Sequence, residues 1–170
     1  LESRGVLSVG GEDRTTFLQG LISNDIDRVA VDRAIWAALL TPQGKYLHDF
    51  FVAGIDETLY LDCESDRLMD LGKRLHRYKL RAQVELGIGE GMAVYALFGG
   101  GALDALNLSV DAGAARSLRD GIVYTDPRLP AVGARALLPA CDAENFLETL
   151  GFHAADTDSY ETLRLEHGLS

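Results

Sequence analysis

The chain has 170 residues, of which 47% are apolar, enough to bury one sizeable core or two small halves packed against each other. Its 16 basic and 26 acidic residues give a formal net charge of −10. This charge disfavours nonspecific attraction to nucleic acid or to an anionic membrane. We therefore expect no direct DNA binding, and an anionic ligand would need a local basic site.

Signals for targeting, membrane insertion and metal binding are sparse. No apolar run approaches about 18 residues and no basic segment precedes an apolar stretch, so the sequence predicts neither a membrane span nor a signal peptide. Cys63 and Cys141 lie far apart, with no histidine at metal-ligand spacing, which fits a reducing compartment. We expect a cytoplasmic protein and assign no metal site.

The pattern of apolar residues predicts alternating strands and helices. Apolar runs bounded by turn residues predict strands at residues 6–9, 35–40, 46–55, 58–63, 82–86, 92–98, 122–125 and 134–138. Apolar residues at helical spacing predict helices that start from Asp13, Ser65, Asp142 and Ser159, and a weak helix at residues 102–106. Strand pairs interspersed with helices favour an α+β fold with mainly antiparallel sheets and packed helices. We expect a ferredoxin-like duplication within one domain over residues 1–170.

The turn Thr41-Pro42-Gln43-Gly44 and the strand after it allow two interpretations. Gly44 can simply supply backbone freedom to a hairpin. Alternatively, the hairpin brings Lys45, His48 and Asp49 to the rim of a pocket, with Lys45 and Asp49 on one face of the strand and His48 on the other. Asp49 is a carboxylate on an otherwise apolar strand. If buried it must find a donor, and the ring N–H groups of a heterocycle such as a pterin would supply one.

Four phrases in fixed order resemble one known family. They are Phe17-Leu18-Gln19-Gly20, Asn24-Asp25, Thr41-Pro42-Gln43-Gly44-Lys45 leading to Asp49-Phe50, and Asp126-Pro127-Arg128-Leu129-Pro130 with Gly133 and Arg135. Together they are similar to the YgfZ-type relatives of the glycine-cleavage T-protein, which are folate-binding proteins implicated in iron–sulfur cluster assembly or repair. The resemblance covers nearly all of the chain.

Two positions depart from the T-protein pattern. The T-protein enzymes carry a pair of aspartates after the hairpin, whereas this chain has His48-Asp49. They also carry a glutamate that helps to hold the pterin, and the corresponding stretch here, residues 126–135, lacks it. The segment over residues 163–169 resembles the one that precedes a Lys-Gly-Cys-Tyr phrase in the YgfZ-type proteins. We therefore expect a further C-terminal part beyond Ser170.

The basic residues also allow more than one interpretation. Arg128 and Arg135 could form surface ion pairs around a stiff loop, or they could bind the glutamate carboxylates of a folate bidentately. Five further basic residues cluster in a predicted helix, namely Lys73, Arg74, Arg77, Lys79 and Arg81. This cluster could be a solvated helix edge, or a site for a polyglutamate tail or for an acidic or RNA partner.

The resemblance implies a set of ligand-binding residues and a function. The implied folate-binding residues are Asn24, Gly44, Asp49, Cys63, Arg128 and Arg135, although Cys63 could instead be a small apolar filler. No catalytic residue is assigned. The implied ligand is tetrahydrofolate or a one-carbon derivative, in an accessory protein that works with iron–sulfur assembly proteins or client enzymes. The alternatives are a tetrahydrofolate-dependent aminomethyltransferase and a ligand-free interaction module.

Overall fold

The computed structural model describes residues 1–169, in which nine strands form two antiparallel sheets. The first sheet comprises β1 (Arg4–Gly10), β2 (Ile35–Leu40), β3 (Tyr46–Ile55), β4 (Thr58–Glu64) and β5 (Glu85–Ile88), in the order β2-β3-β4-β1-β5. The second comprises β6 (Met92–Leu97), β7 (Ala115–Leu118), β8 (Gly121–Thr125) and β9 (Ala134–Pro139), in the order β6-β9-β8-β7.

The helices are short. They are α1 (Arg14–Gln19), α2 (Leu68–Lys79), α3 (Ala102–Ala105), α4 (Ala143–Thr149) and α5 (Thr157–Glu166), with single 3-10 turns at Ile26–Arg28, Ser65–Arg67 and Pro130–Val132. Among the described residues, no helix is both long and apolar enough to cross a membrane.

The two halves of the chain share one connectivity. In the first half, β1-α1-β2-β3-β4-α2, the first strand pairs with the fourth, and the second half repeats this as β6-α3-β7-β8-β9-α4. The α+β class, the antiparallel sheets and the duplication predicted from the sequence are therefore confirmed. Each half has three consecutive strands between its helices, and β5 extends the first sheet beside β1.

Alternation along the strands creates three apolar layers. On the outer face of the first sheet, Phe50 and Leu61 belong to the layer that packs against α1 and α2. On its inner face, Phe51 meets Tyr124 and Leu137 of the second sheet. A third layer packs the other face of the second sheet against α3 and α4. The sheets thus face each other, with the helices α1 to α4 outside.

Several predicted details were wrong for local reasons. Asp13 and Asp142 do not cap their helices through their side chains. Asp13 instead accepts a hydrogen bond from the backbone N–H of Gln83, which ties α1 to the segment before β5. The last helix begins at Thr157 rather than Ser159, because Asp156 caps it. β5 begins three residues later than predicted, and β7 was not predicted because it is short and carries polar residues.

Candidate functional site

A cavity of about 1060 Å³ is lined by side chains from both sheets and from α5. The β2–β3 hairpin supplies one wall with Trp36, Tyr46, Asp49 and Phe51. The floor and the opposite wall are formed by Arg4, Arg128, Arg135 and Tyr160, and the rim includes Glu64, Asp66, Glu161 and Arg164. It is larger than the cavity beside Tyr95 and the cavity beside Leu103, whose volumes are about 430 and 480 Å³.

The hairpin wall places one carboxylate among aromatic rings. Trp36 pairs with Phe51 across the two strands and Ala38 pairs with Asp49, so Trp36, Phe51 and Asp49 share a face. A register shift near the turn brings Tyr46 to the same cavity. Burial and, next, the Asp49 carboxylate raise the pKa of Tyr46. Asp49 itself is half-buried and has no ion-pair partner among residues 1–169.

The floor contains a buried ion-pair network that joins the two sheets. Asp62 on β4 accepts hydrogen bonds from Arg4 Nε at 2.6 Å and from Arg135 Nη2 on β9 at 2.7 Å. Asp62 and Arg135 are only 2% and 3% exposed. Burial is the largest effect and would lower the pKa of Arg135, but the Asp62 carboxylate together with Tyr124 and Tyr160 outweighs it and holds that pKa above its usual value. Because β4 and β9 belong to different sheets, this pair sets the position of one sheet relative to the other.

Arg128 is held in a second carboxylate fork. Its Nε and Nη2 donate to the two oxygens of Asp126 at 3.1 and 2.8 Å, and these bonds raise the pKa of Arg128 against the opposing effect of burial. The guanidiniums of Arg4, Arg128 and Arg135 lie 5.7, 4.7 and 4.1 Å from the centre of the Phe51 ring. Three guanidiniums thus face two carboxylates, which leaves the floor with one surplus positive charge.

Tyr160 on α5 closes the cavity with a hydroxyl group whose hydrogen is free. Its oxygen accepts from Arg135 Nη1 at 3.0 Å and more weakly from Arg128 Nη2 at 3.4 Å. A guanidinium has no acceptor, so neither arginine can take the phenol hydrogen. No other hydrogen bond from Tyr160 is found among residues 1–169, and the side chain lines the cavity. The hydroxyl can therefore donate to a bound ligand.

The structure separates the six predicted binding residues into two groups. Asp49, Arg128 and Arg135 line the cavity, whereas Asn24, Gly44 and Cys63 do not. Asn24 donates from Nδ2 to the backbone carbonyl of Trp36 at 2.8 Å and so supports the strand that carries this cavity residue. Gly44 adopts a φ of 79° in the exposed hairpin turn.

Cys63 belongs to the apolar layer on the outer face of the first sheet. It is buried, and burial raises the pKa of its thiol to about 12. The thiol is therefore protonated at neutral pH, and Cys63 acts as a small apolar side chain in that layer, which was the alternative interpretation from sequence.

His48 does not lie at the cavity rim, which corrects one prediction. It is 2% exposed on the opposite face of β3, where its Nε2 lies 2.9 Å from Oδ2 of Asp70 on α2. Burial lowers the pKa of His48, although the hydrogen bond to Asp70 opposes this shift. Position 48 therefore serves the contact between β3 and α2 rather than the ligand site.

The lowered pKa of His48 predicts a pH dependence of stability. The unfolded chain binds this proton near pH 6.5, more readily than the folded protein does, so the stability that comes from neutral His48 should be lost as the pH falls below about 6.5. Melting temperatures between pH 8 and pH 5 would measure this loss. His48→Gln should flatten the curve in this range, whereas His76→Gln, at an exposed site on α2, should not. Parallel curves for the parent and His48→Gln would contradict the assignment.

Sequence comparison finds several relatives, two of which are fungal proteins from Coccidioides immitis and Neurospora crassa. Each is described as "Iron-sulfur cluster assembly factor IBA57 homolog, mitochondrial". The protein from Coccidioides immitis is 29% identical, covering 99% of this chain and 43% of the relative, and that from Neurospora crassa is 30% identical, covering 81% and 33%. The chain thus spans less than half the length of these relatives. No protein-family model matches the chain.

Structure comparison finds the same fold in a T-protein. The chain matches the glycine cleavage system aminomethyltransferase T from Bartonella henselae with a TM-score of 0.79 at 17% identity, covering 99% of this chain and 50% of that one. The chain therefore has the fold of a glycine-cleavage T-protein aminomethyltransferase. The likeness to the IBA57 homologues, together with this fold, supports the resemblance to the YgfZ-type relatives of the T-protein.

The cytoplasmic location predicted from the sequence is wrong. The curated relatives from Coccidioides immitis and Neurospora crassa are named as mitochondrial proteins, which contradicts that prediction.

Proposed function

We propose that this domain, residues 1–170, binds tetrahydrofolate or a one-carbon derivative and acts as an accessory protein in iron–sulfur cluster assembly or repair. The observation that carries the proposal is the carboxylate of Asp49 among the aromatic rings of one cavity wall, in a chain with the T-protein fold. The iron–sulfur role is supported by the names of the curated relatives. Its protein partners would then be iron–sulfur assembly proteins or client enzymes.

The hairpin wall suits the pterin end of a folate. A pterin is a flat ring with N–H donors on one edge, and Asp49 can accept from those donors while Trp36 or Tyr46 stacks on the ring face. Trp36 is 37% exposed and Tyr46 is 55% exposed, so both aromatic faces are accessible from the cavity. Binding would remove apolar surface from water and give the Asp49 carboxylate partners.

The floor suits the anionic end of the same ligand. Arg128 and Arg135 already bind Asp126 and Asp62, so a ligand carboxylate would meet the surplus charge of the network rather than an unpaired arginine. Tyr160 adds a neutral donor beside it. In this proposal Asp49, Arg128 and Arg135 contact the ligand, while Asn24 acts through Trp36. Direct contacts by Gly44 and Cys63 stay predictions.

Isothermal titration calorimetry tests the proposal. Tetrahydrofolate and its 5-formyl derivative should each give saturable heat with the chain, and folic acid should compete. No detectable heat or competition at millimolar ligand would reject folate binding. The domain would then be a ligand-free interaction module with the same fold.

Tyr160→Phe should weaken tetrahydrofolate binding by about tenfold if its hydroxyl donates to the ligand, because one hydrogen bond near charged groups contributes about 1.4 kcal/mol. The ring and its contact with Phe98 are retained. The melting temperature should also fall somewhat, since Arg135 Nη1 loses its acceptor. Tyr95→Phe, outside this cavity, is the matched control and should bind as the parent does. An unchanged dissociation constant for Tyr160→Phe would show that the hydroxyl does not contact the ligand.

The fold match favours a second candidate, a true aminomethyltransferase. In that case the domain would position tetrahydrofolate to accept a methylene group from a lipoyl partner. We expect no such turnover, because position 48 is a histidine directed away from the cavity and residues 126–135 lack a glutamate.

An assay with aminomethylated lipoyl carrier and tetrahydrofolate, using the full-length protein, separates the two candidates. Methylene-tetrahydrofolate formation near the rate of an authentic T-protein would favour the enzyme. A cell that lacks the gene should instead lose iron–sulfur enzyme activity while growing normally on glycine. The opposite growth pattern would count against the accessory role.

A further inference from the structure

Helix α2 and its ends form a basic segment on an acidic protein. Of the 16 basic residues in the chain, six lie within residues 67–81, together with a single acidic residue, Asp70. The six are Arg67, Lys73, Arg74, Arg77, Lys79 and Arg81. The chain as a whole carries a net charge of −10, so the rest of the molecule is strongly negative. This separation of charge creates a local positive field on one helix.

The outward face of α2 carries unpaired cations. Leu71 and Leu75 are fully buried against the first sheet, whereas Lys73 and Arg77 point away from it and are exposed. At about 100° per residue, Lys73 and Arg77 lie within one narrow arc, one turn apart. Neither has an ion-pair partner among residues 1–169, because Asp70 binds Arg74 and His48 instead.

Exposed apolar side chains flank these cations. Met69, one turn before Lys73, is 58% exposed, and Leu80, directly after the helix, is 89% exposed. Leu80 also adopts φ 44° and ψ −108°, a conformation that favours glycine. A leucine here both strains the backbone and presents apolar surface to water, although glycine would avoid both. Strain of this kind persists where another requirement selects the residue.

We propose that this outward face, formed by Met69, Lys73, Arg77 and Leu80, is the docking surface for an acidic segment of a partner protein. Carboxylates of the partner would pair with the two cations. Apolar side chains on either side of these carboxylates would contact Met69 and Leu80. Along the helix, Met69 and Leu80 lie about 16 Å apart, which a peptide of about three helical turns can span. The large negative charge elsewhere opposes an extended polyanion such as RNA and an anionic membrane.

This surface is separate from the folate site. α2 packs on the outer face of the first sheet, while the cavity opens between its inner face and the second sheet. Variants on the outward face should therefore leave tetrahydrofolate binding unchanged. Failure of one proposal is thus distinguishable from failure of the other.

A designed peptide provides the probe. It is a labelled helical peptide with two leucines eleven residues apart and four glutamates between them, titrated with the chain by fluorescence anisotropy at low and high salt. Lys73→Glu and Arg77→Glu should each weaken binding by about tenfold, and salt should weaken binding to the parent. Arg28→Glu makes the same change in charge at an exposed residue outside α2 and should bind within about twofold of the parent.

Leu80→Gly separates docking from fold stability. It should weaken peptide binding, because the apolar side chain is lost. It should also raise the melting temperature, because glycine relieves the backbone strain. Equal peptide affinity for the parent and Arg77→Glu would overturn the proposal. So would tighter binding of the parent to phosphatidylserine vesicles or to single-stranded RNA than to the peptide. If the Leu80→Gly variant bound the peptide as tightly as the parent, Leu80 would not belong to the docking surface.

Discussion

Replacing Asp49 by alanine should weaken tetrahydrofolate binding by about 1 to 3 kcal/mol, the usual penalty for leaving a buried donor without its acceptor. In the proposed complex the N–H groups of the pterin edge donate to this carboxylate and would be left unpaired in the variant. Calorimetry measures the change. Asp49 has no ion-pair partner among residues 1–169, so the variant should fold normally.

Asp66 supplies the matched control. Its exposed carboxylate lies at the rim of the same cavity but not on the aromatic wall. Asp66→Ala removes the same charge and should bind tetrahydrofolate almost as the parent does. If Asp49→Ala bound as tightly as the parent, the ring would not sit on the β2–β3 wall, and the assignment of that wall would be wrong.

Replacing Asp62 by alanine should destabilise the folded state by about 3 to 5 kcal/mol, the range found when one partner of a buried ion pair is removed. The variant leaves Arg135, which is 3% exposed, without its carboxylate, and Arg4 loses its partner as well. Chemical denaturation followed by circular dichroism measures the loss. Because the pair joins the two sheets, cavity binding should weaken together with stability.

Two comparisons make the Asp62 experiment specific. Glu57→Ala removes an exposed carboxylate that pairs with Arg14 at the surface. This variant should lose far less folding stability than Asp62→Ala. Replacing both Asp62 and Arg135 by leucine and methionine should recover much of the stability lost in Asp62→Ala, since the fully buried charge of Arg135 is then removed and only the more exposed Arg4 lacks its carboxylate. A denaturation midpoint for Asp62→Ala equal to that of the parent would show that the network contributes nothing to the fold.

The position of Asp62 could have been recognised from the sequence. It is an acid on the predicted strand over residues 58–63, and like Asp49 it must find a donor if it is buried. Its partner could not have been recognised, since Arg135 lies 73 residues away on a strand of the other sheet. Tyr160 gave no signal, because a tyrosine in a helix pattern does not show which sheet the helix covers. Trp36 could have been found only by pairing its strand with β3.

The sequence by itself determined the elements that depend on nearby residues. The bounds of β2 and β3 match the prediction, because an apolar run and a turn of recognisable type are local features. Alternation also placed Asp49 on the face opposite to His48. These features persist in any tertiary arrangement, since they depend on side-chain direction and backbone freedom alone.

Only the tertiary structure decided which faces meet. Alternation separates the two faces of a strand but does not say which one packs against a helix and which one borders a cavity. His48 and Asp49 are adjacent polar residues on β3, yet the first lies under α2 and the second lines the cavity. That outcome follows from the packing of the inner faces of the two sheets and from the Asp62–Arg135 pair between them, which joins residues far apart in the chain.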